Sequence, residues 1–175
     1  MSGHSHWAGI KHKKEVVDQK RGKLFSKLLS AVSIAAKEEP NPEFNPRLRT
    51  AIEKAKENKV PQENIERAIK RAKEAASLEE LIIEAYGPGG CALLIEAISD
   101  NKNRTLAEIK KILNDFNAKI ATPGSVLWAF EKTPDGWQIK FSQPLQPEDL
   151  EKAKQLIEEL EEQDDVQKVY SNTNL

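Results

Sequence analysis

The chain has 175 residues, 38% of them hydrophobic and 31% charged, which suits one ordinary domain or two small ones with a large wet surface. No run approaches the roughly 18 apolar residues of a membrane span, no apolar h-region follows the start, and Cys91 alone supplies neither an intrachain disulfide nor a cysteine zinc site; the expectation is a cytoplasmic protein without a secretory signal or membrane contact. The net charge of −1 hides an asymmetry, because residues 1–76 carry 17 Lys+Arg against 10 Asp+Glu and residues 77–175 carry 10 against 18.

Residues 1–12 show neither a helical nor a strand period and read as a mobile basic arm. From about Glu15 a helical pattern begins, with Leu24, Phe25, Leu28, Leu29, Val32 and Ile34–Ala36 forming an apolar stripe. Pro40 and Pro42 end it. Asn45-Pro46 is a helix start, with Asn as N-cap and Pro at the first helical position, and Leu48, Ala51, Ile52 and Ala55 line one face. Pro61 opens a third helix with Ile65, Ala68, Ile69 and Ala72 inside. Three amphipathic helices on short loops predict a small bundle.

After Ser77 the period becomes strand-like. Leu81–Ala85 is a first strand, Tyr86–Gly90 a turn, and Cys91–Ile98 a central strand covered on both faces. Leu106, Ile109, Ile112, Leu113 and Phe116 mark a helix. Val126, Trp128 and Phe130 alternate as a strand, Pro134-Asp135-Gly136 turns the chain, and Trp137, Ile139 and Phe141 alternate as the next. These aromatics are expected to bury their area on a shared face. Pro147 opens a helix, and Val166–Tyr170 is a last strand. The fold class is α+β: a three-helix bundle with a basic arm over 1–76, then, over 77–175, an acidic ferredoxin-like βαββαβ sandwich with an extra leading strand.

The sequence motifs resemble those of the YebC/PmpR family. Gly3-His4-Ser5-His6-Trp7, Ile10–Lys14, Lys20–Lys27, Asn45–Arg49, Asn64–Lys70, Tyr86–Gly90, Asp100–Thr105 and Asp164–Tyr170 fit the family pattern in order over nearly the whole chain. The resemblance implies a DNA-binding transcriptional regulator; relatives, a mitochondrial one among them, act as translational activators. Family members usually carry a third domain inserted in the α/β domain. The short turn from Lys132 to Trp137 predicts a member lacking it.

Residues 1–27 hold seven Lys+Arg and two acids, with three His and a Trp. Such a segment binds phosphate backbones through counterion release, and an aromatic within it can stack on an exposed base; the competing reading is a solvated tail. The candidate nucleic-acid contacts are His4, His6, Trp7, Lys11, His12, Lys13, Lys14, Lys20, Arg21, Lys23 and Lys27 in this segment, and Arg47, Arg49, Arg67, Lys70 and Arg71 in the bundle. The histidines are weighed as metal ligands and preferred as hydrogen-bonding or stacking groups, so no metal or cofactor is expected. Gly87–Gly90 lacks the Gly-Lys-Ser/Thr ending of a phosphate loop and reads as a hairpin turn. Asp100–Thr105 reads as a helix cap, with a contact role open for Lys102 and Arg104. Glu158–Asp165 holds six acids in eight residues, which reads as a solvated helix end, with a cation site or a surface that repels nucleic acid and orients binding as the alternatives. No catalytic constellation is present, and no enzyme activity is expected. The partner is expected to be DNA or ribosomal RNA, with the ribosome or a protein partner met through the acidic domain; a protein-only adaptor is the remaining alternative.

Overall fold

A computed structural model describes residues 3–74 and 77–174, with side chains in the first helix described from Ile10 onward. The chain divides into two compact units, Met1–Ala76 and Ser77–Leu175.

The first unit holds α1 (Gly3–Ala36), α2 (Pro46–Glu57) and α3 (Gln62–Arg71). Its core joins Val32, Ala35 and Ala36 of α1 to Leu48 and Ala55 of α2 and Ile65 of α3, with Phe25, Leu28 and Leu29 packed at the edge. Asn45 secures the first corner. Its side-chain oxygen accepts the Leu48 N–H at 2.9 Å, and its amide donates to the carbonyls of Ala35 and Glu39 at 2.8 and 2.7 Å. One buried side chain thus caps α2 and ties it to the end of α1. The expected mobile arm is instead helix, because α1 begins at Gly3. No proline interrupts residues 3–36, and a helix nucleated at its packed end propagates one hydrogen bond per residue at little cost.

The second unit holds β1 (Glu79–Tyr86), β2 (Ala92–Ser99), α4 (Lys102–Asp115), β3 (Lys119–Ile120), β4 (Phe130–Thr133), β5 (Gly136–Ile139), α5 (Pro147–Glu162) and β6 (Val166–Ser171). The class is α+β, an antiparallel sheet of order β3-β1-β2-β6 with α4 and α5 on one face. Odd-numbered residues of β1 and β2 (Leu81, Ile83, Ala85, Leu93, Ile95 and Ala97) meet Ile109 and Leu113 of α4 and Ala153, Leu156 and Leu160 of α5. Ala92 and Leu94 face the other way, against Val126, Ala129 and Phe130. Cys91 is buried, and burial pushes its thiol up from the ordinary value, as befits a small core hydrophobe.

The strands that build the sheet differ from those expected. Residues 126–129 do not form a strand; a 3₁₀ turn spans Leu127–Ala129, and the strand starts at Phe130. The β4–β5 hairpin forms its own two-stranded sheet, and the two-residue β3 takes the edge place beside β1. The cause is Glu84. It stands on the non-helical face of β1, buried, and its carboxylate accepts the backbone N–H groups of Gly124, Val126 and Leu127. A carboxylate that takes three backbone donors from one loop holds the chain in a turn where side-chain alternation alone favours a strand.

Candidate nucleic-acid interface

At 34 residues, α1 is about 50 Å long, and among its described side chains those of the last third meet the bundle. From Ile10 to Leu24 every side chain is exposed. Ile10, Val17 and Leu24 are 52%, 62% and 43% exposed, so the apolar period there has no covering partner. Basic residues recur every seven positions, as Lys13-Lys14, Lys20-Arg21 and Lys27. Seven residues are nearly two turns, so Lys13, Lys20 and Lys27 form one row at steps of about 10 Å. Glu15 and Asp18, the acids of this stretch, fall on the other side of the helix. The result is a one-signed stripe able to follow a phosphate backbone. Arg21 lies 5.2 Å over the Phe25 ring, fixing its guanidinium where α1 enters the bundle.

Lys11, His12, Lys13, Lys14, Lys20, Arg21 and Lys23 are exposed on α1, and Lys27 is half-buried. His4, His6 and Trp7 lie in the first turns of α1, their side chains outside the described residues. The bundle arginines do not all join them. Arg67 and Arg71, one turn apart on α3, line a shallow cavity of about 310 Å³ with Leu29 and Ser33 of α1. Arg49 opens instead onto a groove between α2 and α3, floored by Ile52, Ile65 and Ile69. Lys70 and Arg71 occupy the last turn of α3, where they also complement the helix dipole. Arg47 is exposed in the first turn of α2. The predicted residues therefore form an α1 stripe and separate bundle patches.

Sequence reasoning missed Phe44, 75% exposed just before α2 and close in sequence to Arg47. The available signal was its isolation between Pro42 and Pro46, outside any amphipathic period.

In the second unit, Asn101 caps α4, its side chain accepting the Arg104 N–H at 3.1 Å. Arg104 is engaged within the chain, with Nη2 at 2.9 Å from both Asp100 and Asp165. Asp165 also accepts the Thr105 hydroxyl at 2.6 Å. Burial pushes the Asp165 carboxyl up, but the Thr105 and Arg104 hydrogen bonds outweigh it and hold it below the ordinary value. Of the two contact candidates here, Lys102 is exposed while Arg104 braces α4 against the start of β6. Gly87–Gly90 forms the β1–β2 hairpin turn, with Gly89 at φ 65°.

The second unit also presents aromatics that alternation had assigned to a buried face. Trp128 and Phe141 are 57% and 52% exposed, with ring centroids 5.9 Å apart. The 3₁₀ turn turns Trp128 outward, and the chain leaving β5 returns to it, Lys140 and Phe141 both donating their N–H to the Ala129 carbonyl. Trp137 is held inward, its indole N–H donating to Glu96 at 3.0 Å, and the Tyr170 hydroxyl reaches the same carboxylate at 3.3 Å. Burial, then the Glu96 charge, push the Tyr170 phenol up to about 12. Among the described residues no group of three metal-ligating side chains occurs, and no helix is long and apolar enough to cross a membrane.

Comparison with known proteins follows these two units. Residues 5–75 match the family model described as the TACO1/YebC protein N-terminal domain, and residues 78–134 match that of the TACO1/YebC second and third domain. A "probable transcriptional regulatory protein" of Thermoanaerobacter pseudethanolicus is 38% identical over 240 aligned positions, covering 100% of this chain and 98% of the relative. The alignment is longer than the chain, so that relative carries residues within the aligned span that are absent here. A protein of the same designation from Dictyoglomus thermophilum is 53% identical over 135 positions, 75% of this chain; there the matched stretch spans about half of the relative, 54%. The crystal structure of a conserved hypothetical protein from Aquifex aeolicus superposes with a TM-score of 0.83 at 33% identity, covering 97% of this chain and 96% of that one. With both units matched in order and a relative aligned from end to end, the chain belongs to the TACO1/YebC family.

Proposed function

We propose that the protein is a non-enzymatic, cytoplasmic regulator of gene expression that binds nucleic acid through its first unit. The observation that carries this reading is the exposed α1 stretch from Ile10 to Leu24, whose lysines repeat on one side. Duplex DNA is the first target. An exposed helix fits the roughly 12 Å width of the B-form major groove, and relatives bear the designation of transcriptional regulators. The charge difference between the units supports an orienting role for the second, whose acids repel phosphate.

Structured RNA, such as that of the ribosome, is the second reading. It is favoured by the exposed aromatic cluster at Trp128 and Phe141, a feature of surfaces that receive unpaired bases.

Replacing Lys11, Lys13, Lys14 and Lys20 with Glu tests the shared part of both readings. The four positions lie outside the bundle core, so circular dichroism should not change, while affinity for a duplex falls beyond detection. If roughly five phosphates are contacted, log K against log[salt] for the wild type slopes near −4 to −5 on duplex DNA. A flat salt response, or unchanged affinity in the charge-reversed variant, overturns the assignment to α1. Crosslinking in cells, followed by identifying chromosomal DNA or ribosomal RNA, separates the two targets.

A further inference from the structure

The second unit is acidic overall, yet its charge is unevenly arranged. Glu148, Glu151, Glu158 and Glu159 stand on α5, which packs on one face of the sheet. The opposite side carries a different chemistry. Lys132 lies 5.6 Å over the Trp137 ring, Lys140 lies 5.6 Å over Phe141, and Lys168 lies 4.8 Å over Tyr170. All three lysines are exposed. Tyr170 and Lys168 pair with Leu94 and Glu96 of β2, on the face that the β4–β5 segment covers. The sheet thus separates the acidic helix from a side where lysines and aromatic rings alternate.

Of these rings, Trp128 and Phe141 keep more than half of their surface exposed. The Trp128 indole N–H is already satisfied, donating to the Ser125 carbonyl at 2.8 Å, so the exposed part of the ring is its apolar surface. Phe141 lies beside it and Ile139 is 43% exposed. β5 ends at Ile139, and Phe141 follows in a bend where the Lys140 and Phe141 N–H groups both reach the Ala129 carbonyl. Cationic side chains beside exposed rings are the pairing by which single strands are held, phosphates on the charges and bases on the rings.

We propose that this face of the second unit, centred on Trp128 and Phe141 with Lys140 beside Phe141, binds unpaired bases of an RNA segment. The proposal rests on the nucleic-acid reading above, in its RNA form, and adds a base-stacking site on the unit that the charge count alone marks as repelling nucleic acid. RNA is the occupant because its loops and ends supply unpaired bases as a regular feature.

The test uses the full chain, a twelve-nucleotide oligouridine, oligothymidine of the same length, and a duplex of the same length. The double variant Trp128→Ala, Phe141→Ala should lose about tenfold or more in oligouridine affinity, since removal of a stacking ring typically costs severalfold to a hundredfold. Its duplex affinity should stay as in the wild type. Trp128→Phe, which keeps a ring, should retain most oligouridine binding. Both residues are more than half exposed, so circular dichroism and thermal midpoint should hold. Wild-type protein that fails to bind oligouridine, or a double variant that binds it unchanged, overturns the proposal and leaves the α1 reading standing. The converse, duplex affinity unmoved by the α1 charge reversal while the double variant loses oligouridine, overturns the α1 reading alone. Tenfold preference for oligothymidine over oligouridine overturns RNA as the occupant. A wild-type dimer that the double variant converts to monomer in sedimentation also overturns the proposal, assigning the face to a second copy of the chain.

Discussion

The Glu84 carboxylate accepts the backbone N–H of Val126 at 2.7 Å across 42 residues of sequence. With the bonds from Gly124 and Leu127 to the same side chain, and with the Glu84 carbonyl accepting the Ala121 N–H at 2.8 Å, one residue of β1 organises the whole approach to β4. The loop between β3 and β4 then carries Trp128 outward. A buried acid serves here as a template for backbone, and the aromatic surface depends on it.

Glu84→Ala should leave three backbone donors without their acceptor and cost about 3 kcal/mol or more. Glu84→Gln, which keeps one acceptor oxygen and adds an amide that cannot accept, should fall between Ala and wild type. Chemical denaturation of the second unit gives the order. Tryptophan emission should shift in the Ala variant as the loop bearing Trp128 loosens; an unchanged spectrum with unchanged stability would remove Glu84 from its organising role.

Acid sensitivity should trace in part to Asp165. Thr105 and Arg104 hold its carboxyl below the ordinary aspartate value of 3.8 despite partial burial. A depressed folded-state value adds stability that is fully present above the unfolded value and disappears as pH falls through the folded one. Asp165→Asn should therefore be less stable than wild type near neutral pH, with the gap closing below about pH 3.8. A constant gap across the acid range would assign the loss to packing rather than to ionisation.

Tyr170 gives the opposite sign. Its phenol is pushed up to about 12 from 10.0, first by burial and then by the Glu96 charge. Stability from the neutral phenol is fully present below the unfolded value and is lost as pH rises through about 12. Titration of tyrosinate absorbance should show one late-ionising residue. Glu96→Gln should bring that midpoint down towards 10.0, and a midpoint that stays in place would leave burial as the whole cause.

Glycine replacements should separate tight backbone from open helix. Gly136 sits at φ 125°, and a Cβ there would collide with the Tyr170 hydroxyl. Gly136→Ala should cost about 1–3 kcal/mol in the second unit. Gly22 lies within α1 with nothing within 4 Å of a Cβ position, so Gly22→Ala should stabilise the helix by roughly 0.5–1 kcal/mol. Thermal unfolding resolves the two signs, and an equal response at both sites would contradict the placement of Tyr170 over the hairpin turn.

The local signals in the sequence were sufficient wherever one chemical feature governs the backbone. Asn45-Pro46 begins α2 because the amide caps and the ring presets φ, and the nearly unbroken apolar run after Cys91 is the central strand because both faces are covered. The basic character of α1 was equally legible, since charge is carried by composition. The helical state of its first turns was not, because propagation from a packed end leaves no periodic mark on the residues it reaches. The fate of residues 126–141 was decided by tertiary structure alone. Their alternation describes a buried strand pair, but Glu84, distant in sequence, takes the N–H groups of Val126 and Leu127 into a turn that leaves Trp128 at the surface. Periodicity records which side chains share a face; it does not record whether a remote carboxylate competes for the N–H groups that a strand would need.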